Sequence, residues 1–428
     1  MRVGRRIGEQ VISRDASLQP PRRTRFIDGL NGAMALARRT GLAQAPVLEK
    51  EALLDRARAH TGLEDFGDPW FEKPLAVLLA ALRGEARLNA AGQWAAQAQI
   101  EKVLHDRLWA QQWFERHPEI LERPLPRPVI VVGPMRSGTT RMHRLLSADR
   151  RFSHLRSFET ISPVPRPDFR FGGKDSRQVL ASRILRVARL ANPRTLTIHP
   201  TGPLEPEEEL GLLVSSFWGM KHEAQWWVPS YGRWCEQQDA VPAYRQMARL
   251  LQLIGWSQQS SSLRPWILKT PQHMLDLPAL LKVFPDARLI FTHRDPLAVV
   301  GSAASLAWNQ TIIYSDQARP EAIGREWLRK TALQIRRMRD ARDHIPRERM
   351  IDVHYDDMES DWRGAMERVY RFLGLDIAPA LPAMEAYQRR TARLKRPPHE
   401  YSLEEFGLEP ERVQLELGDY VRTYGIAR

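Results

Sequence analysis

The chain has 428 residues, 43% hydrophobic and 27% charged, with 13 Trp; it is long enough for one large domain with additions or for two, and too aromatic for a disordered polymer. Lys and Arg number 64 against 51 Asp and Glu, a formal net charge of +13 carried mostly by Arg, since only nine of the 64 are Lys. Such a field attracts nucleic acid, anionic lipid or a polyanionic small molecule, although an Arg-rich genome raises the same count with no partner; a lone cysteine, Cys235, excludes a disulfide framework and a Cys-based zinc site.

Residues 1–25 are basic, Pro-containing and aperiodic, and read as a loose arm. They begin MRVGRRIGEQ with no apolar run behind the basic residues, so no signal peptide is expected. Residues 26–125 read as a helical N-terminal region, because EKEALLDRARAHTGL and WFEKPLAVLLAALRGEARL repeat apolar residues at spacings of three and four. The segment IEKVLHDRLWAQQWFERHPEIL closes it and is stopped by Pro118 and PLPRP. The longest clean apolar run, Pro74–Leu82, is far short of the roughly 20 residues that span a bilayer. A cytoplasmic location is expected.

At Pro128 the pattern changes. PVIVV is nearly all β-branched, as in a strand buried on both faces, and it leads into GPMRSGTT and then the helical RMHRLLSADRRF. WILK (266–269), ARLIFTH (287–293) and MIDVH (350–354) read as further strands, each followed by a helical stretch. Buried strands alternating with helices predict an α/β fold, a P-loop-like parallel sheet flanked by helices, with the α-helical N-terminal extension in front. This core is expected over 126–380, with a helical insertion around 165–262, and residues 381–428 form a polar, basic tail.

A strand, a glycine-rich turn and a helix present backbone N–H groups and a helix N-terminus to an anion. The turn here is Gly133-Pro134-Met135-Arg136-Ser137-Gly138-Thr139-Thr140. Against the nucleotide pattern G-x-x-x-x-G-K-[ST], Thr139 stands where the Lys should be, which weakens an ATP or GTP reading. Arg136 supplies a cation inside the turn instead. A second anion site follows from THRDPLAVVGSAAS, where Arg294 closes a strand and Ser302 lies eight residues on, inside the next helix. Neighbouring parallel strands share one crevice at their ends, so Arg294 and the turn face one ligand. Two separated phosphate sites suit a nucleotide with phosphates at both ends of its ribose.

PMRSGTTRMHRLL together with THRDPLAVVGSAAS resembles the sulfotransferases that use 3′-phosphoadenosine 5′-phosphosulfate (PAPS), and the RSGTT version is similar to the tyrosylprotein branch and to a large bacterial group. The helical leader, the HPEI segment and the tail HEYSLEEFGLEPERV extend the resemblance from about residue 27 to about 425. It implies that Arg136, Ser137, Gly138, Thr139 and Thr140 hold the 5′-phosphosulfate, and Arg294 and Ser302 the 3′-phosphate. It further implies that Lys269, in LKTPQH, stabilises the leaving group and that Glu159, in SFET, is the general base. Arg136 joins these two in the catalytic set. Tyr355, Lys395 and Tyr401 match the family's strand-end and tail motifs and are assigned to cofactor contact, with the tail closing over the cofactor. The aromatic run FWGMKHEAQWWVPSYGRW and the acidic EPEEE (205–209) fall where the family builds its acceptor pocket.

The resulting expectation is sulfuryl transfer from PAPS to a small-molecule hydroxyl acceptor (lipid, sugar or phenol) by in-line displacement, with no metal. No nucleic-acid partner is expected, while the basic surface allows peripheral contact with anionic membranes. A P-loop small-molecule kinase is the alternative enzyme reading. It lacks the loop Lys and a carboxylate pair for magnesium, Asp352 standing without a companion. A non-catalytic basic binder of nucleotides or nucleic acid is the alternative outside enzymes. Among the histidines near the loop and strand ends, His273 is the nearest substitute for a Glu base, being just past Lys269.

Overall fold

A computed structural model of the chain describes residues 4–7, 10–13, 22–393 and 399–427. The arm is not featureless: β1 (Gly4–Ile7) and β2 (Gln10–Ser13) pair antiparallel. The helical region follows as α1 (Arg25–Arg39), α2 (Lys50–Thr61), α3 (Glu72–Gly84) and α4 (Ala90–Arg116). Asn89 caps α4 by accepting from the Gly92 N–H, and the helix ends at His117, ahead of Pro118, where a proline disfavours helical backbone in its predecessor.

The central strand β3 (Val129–Val132) is buried throughout and leads into α5 (Thr139–Ser147). A helical insertion then runs through α6 (Ser157–Ile161), α7 (Ser176–Ala191), α8 (Arg194–Ile198), α9 (Leu210–Leu213), α10 (Lys221–Gln225), α11 (Pro229–Cys235) and α12 (Val241–Ser257). The sheet resumes with β4 (Ile267–Lys269), α13 (His273–Val283), β5 (Arg288–His293), α14 (Pro296–Tyr314), α15 (Pro320–Arg342) and β6 (Met350–His354). The chain closes with α16 (Tyr355–Ser360), α17 (Trp362–Leu373), α18 (Leu381–Arg393), β7 (His399–Tyr401) and α19 (Pro410–Tyr424).

The main sheet is parallel, in the order β4-β3-β5-β6, with Val129 level with Ile267 on one side and Arg288 on the other. Its apolar runs serve two cores at once. Val129, Val131, Ile267 and Ile290 point to the layer of α5 and α17, while Ile130, Val132, Leu268, Leu289 and Phe291 point to the opposite layer. Fully burying each such side chain stabilises the fold by about 1.5–3 kcal/mol. The second core also contains Leu53, Leu79 and Leu104, so the N-terminal helices are packed into the same interior as the sheet. A small second sheet, β1-β2-β7, joins the two ends of the chain, with β2 parallel to β7 and Val11 opposite Glu400. The arm read as loose thus holds two strands, and β7 supplies the edge on which β2 aligns.

Candidate active site

In an open parallel sheet the ligand crevice lies at the C-terminal ends of the strands, and here the ends of β3, β4 and β5 carry the turn, Lys269 and Arg294. The turn after β3 lies directly on β5: a Cβ on Gly133 would fall 2.0 Å from Thr292 Oγ1. Ser137 Oγ donates to the Pro134 carbonyl at 2.8 Å and shares a 2.7 Å hydrogen bond with Thr292 Oγ1, which fixes the turn's curvature. Gly138, at φ +87°, opens α5, and a Cβ there would press on the Tyr355 ring at 3.0 Å. Arg136 has φ +69° without being glycine, a strained conformation of the kind that collects at functional sites. That conformation carries its side chain across the crevice. Arg136 Nε donates to Ser302 Oγ at 3.1 Å and its Nη1 donates to the Ile198 carbonyl at 2.8 Å.

The residues of the expected second anion site are brought to the turn. Asp295 accepts from the Leu297 N–H and Pro296 begins α14, so that helix starts immediately after Arg294 and carries Ser302 on its second turn. Arg294 Nη1 donates to the carbonyl of Arg136 at 2.6 Å, and its guanidinium lies 3.8 Å from the centre of the Tyr355 ring. Arg136, Arg294, Ser302 and Tyr355 are therefore one cluster. Behind it stands His399, which the sequence reading did not single out. Its ring nitrogens lie 3.4 Å from Ser302 Oγ and 3.0 Å from Ser305 Oγ, and burial, then Arg136 and Arg194, push its pKa down to about 3. Tyr401 is buried, its hydroxyl donating to the Ala298 carbonyl at 2.9 Å, so it braces the first turns of α14. Lys395 lies outside the described residues.

On the other side of the turn, Lys269 ends β4 almost fully buried. Its Nζ stands 3.4 Å from Thr140 Oγ1 and 2.8 Å from Glu208 Oε2. Glu208 belongs to a run of three glutamates with three different partners. Glu207 takes His199 at 3.0 Å, and although burial raises its pKa, His199, Lys269 and Arg144 outweigh that and hold the carboxyl well below the usual range. Glu209 accepts from the Lys269 backbone N–H at 2.8 Å and meets His273 Nε2 at 2.5 Å. His273 also bonds the Tyr244 hydroxyl at 2.9 Å, which ties both its nitrogens into the framework. Of the three glutamates, Glu208 faces Lys269 with its side chain 22% exposed.

Glu159, the expected general base, lies on α6. It is fully buried at the start of α6, where it accepts from the Arg156 N–H at 2.8 Å, from the Arg156 guanidinium at 2.5 Å and from Gln258 Nε2 at 3.0 Å. Its hydrogen bonds thus go to a helix start and to Gln258, the residue that ends α12, not to Lys269 or the turn. The aromatic run read as pocket lining is also mostly interior. Phe217, Trp218, Trp226 and Tyr231 are buried, with Trp218 Nε1 donating to Asp276 and the Tyr231 hydroxyl to the Phe217 carbonyl. Asp352 bonds His293 at 2.7 Å and pairs through both oxygens with Arg342; neither is the second carboxylate that a magnesium site would ask for. Among the described residues, one group of three side chains has metal-ligand spacing, Glu223, Glu236 and Glu326; the Lys330 ammonium already pairs with Glu223 and Glu236 there.

Comparison with known proteins agrees with this architecture. A family model described as "Sulfotransferase family" matches residues 128–379. Omega-hydroxy-beta-dihydromenaquinone-9 sulfotransferase Stf3 of Mycobacterium bovis is 23% identical over 316 residues, 70% of this chain and 76% of that protein. Sulfotransferase STF1 from Mycobacterium tuberculosis H37Rv superposes with a TM-score of 0.77 at 30% identity, over 88% of this chain and 100% of that one. Sulfotransferase STF9 from Mycobacterium avium gives 0.79 at 25% identity, over 89% and 98%.

Proposed function

From the premise that this chain belongs to the sulfotransferase family and is an enzyme of sulfuryl transfer, we propose that it takes the group from PAPS and passes it to the hydroxyl of a small molecule. The observation that carries the donor assignment is the Arg294–Arg136 contact, which fuses two anion sites into one crevice. A bisphosphorylated nucleoside fits that pair of sites. A triphosphate fits poorly, since Thr139 stands in the place of the loop Lys. Bound there, the donor supplies an activated sulfuryl group.

The chain's own residues divide the remaining work. Backbone N–H groups of 137–140, with Thr139 and Thr140 hydroxyls, hold the 5′ end at the start of α5. Arg294 and Ser302 hold the 3′ end, Arg136 links the two ends, and Tyr355 supports the Arg294 guanidinium with its ring. Lys269 Nζ, beside Thr140, stabilises the negative charge that develops on the departing oxygen. For the base, geometry favours Glu208 over Glu159. The Glu208 carboxylate reaches Lys269 and is partly open to solvent, so Oε2 can take the proton of an acceptor hydroxyl, whereas the bonds of Glu159 are made elsewhere. Positioning and fixed charge, as in phosphoryl transfer, then favour an in-line displacement.

For the acceptor, the Stf3 relative is named for a hydroxylated dihydromenaquinone. An apolar hydroxylated molecule is the class we extend to this chain. No described helix is long and apolar enough to cross a membrane. The test of the donor is thermal stabilisation by 3′-phosphoadenosine 5′-phosphate against ADP and ATP-Mg, because a ligand that binds only the folded state raises the melting temperature. A shift with the bisphosphate alone is expected, and a shift with ATP-Mg alone would transfer the site to a kinase.

A further inference from the structure

Helix α7 carries an outward face that water alone does not suit. Val179, Val187 and Leu190 are 54%, 58% and 56% exposed. Steps of four, seven, eight and eleven residues return to one side of a helix, so Val179, Arg183, Arg186, Val187 and Leu190 share a stripe. Over its length α7 has four Arg and no Asp or Glu. Arg177 is buried against Asp175, while Arg183, Arg186 and Arg189 are exposed and have no carboxylate within ion-pair distance among the described residues. The C-terminal end of α7 meets α1. The Thr24 hydroxyl donates to the Ala191 carbonyl at 2.8 Å and Ile27 packs on Ala191, which brings Phe26 and Leu30, 51% and 39% exposed, to the same end of α7.

Exposed apolar side chains interleaved with arginines that have no carboxylate partner among the described residues restrict what can cover them. A second copy of the chain meeting this face by two-fold symmetry would set arginine against arginine. An anionic bilayer takes both kinds of group together: aliphatic tips enter the acyl boundary while guanidinium groups reach lipid phosphates. We propose that the exposed face of α7 docks reversibly on an anionic lipid surface. This inference stands apart from the proposed chemistry. It also has a structural link to the crevice, since α7 continues through α8 to Ile198, whose carbonyl holds Arg136.

The test uses the full chain and vesicle flotation, with phosphatidylcholine alone or with about one third phosphatidylglycerol. The chain is expected to float only with the anionic vesicles. Arg183→Gln, Arg186→Gln and Arg189→Gln combined should lower partitioning on the order of 100-fold. Val187→Ser with Leu190→Ser should lower it roughly ten-fold, and should do so even at low salt. All these positions are exposed, so the variants should keep the parent melting temperature to within about 2 °C, separating lost docking from lost folding. Absence of flotation by the parent chain overturns the proposal, as does flotation indifferent to the α7 substitutions. A dimer in sedimentation that Val187→Ser with Leu190→Ser dissolves would overturn it in favour of a second copy.

Discussion

Lys269 Nζ and Glu208 Oε2 face each other at 2.8 Å although 61 residues of chain separate them. On the proposed reading, the cation that would meet the leaving oxygen and the carboxylate that would take the acceptor proton lie side by side at the end of β4. Glu208→Gln should therefore reduce kcat by on the order of 10²–10⁴ while the thermal shift with 3′-phosphoadenosine 5′-phosphate persists. Glu159→Gln should behave in the opposite way, with about 1–3 kcal/mol of stability lost from the start of α6 and turnover kept by the folded enzyme. Steady-state kinetics beside urea melts separate the two. A dead but stable Glu159→Gln would return the base to Glu159.

Arg294→Ala removes the charge that joins the two proposed anion sites. Affinity for the bisphosphate should fall roughly 10- to 100-fold, the range for a hydrogen bond to a charged group. Titration calorimetry reads this directly. An unchanged dissociation constant would mean that the 3′ end is held elsewhere.

Gly301 lies where α14 meets the tail. A Cβ there would come within 2.6 Å of Tyr401 Cε2 and 2.8 Å of Leu403 Cδ2. Gly301→Ala should cost about 1–3 kcal/mol through overpacking. It should also weaken bisphosphate binding, because Ser302 is the next residue. Thermal melts with and without ligand test both halves of this expectation.

Stability should fall in mild acid, and the sign follows from buried histidines. Burial, then Lys221, pushes His222 down to about 3, and burial, then Arg136 and Arg194, does the same to His399. Between pH 3 and an unfolded value near 6.5 the unfolded chain binds these protons and the folded chain does not. Stability is thus fully present above about 6.5 and is lost as pH falls, at up to roughly 1.4 kcal/mol per pH unit for each histidine. Urea melts at pH 7, 6 and 5 measure the slope. His399→Gln should make it shallower.

What the sequence made legible were features encoded over short spans. The all-apolar VIVV and LIF segments mark strands buried on both faces, and the strand-turn-helix unit around Gly133 is spelled out within a dozen residues. Arg294 and Ser302 were readable because a single strand-to-helix junction spaces them. The Glu208–Lys269 pair was not, because it depends on how the helical insertion folds back onto β4. The same long-range packing turned Trp218 and Trp226 into core, a fate that an aromatic run shares with a pocket lining until its neighbours are known. His399 escaped notice for a similar reason: Ser302 and Ser305 give it meaning only after the tail crosses α14.

The pairing of β2 with β7 fixes an order of assembly. Val11 aligns with Glu400, and the strand that contains Glu400 also carries His399, whose ring approaches Ser302. Closing a contact between such distant positions is entropically slow. During synthesis the turn and both of its anchoring arginines emerge long before residue 399 does. The crevice is thus among the last regions to be completed, and a chain stopped short of β7 would leave β2 an open edge, free to recruit another strand.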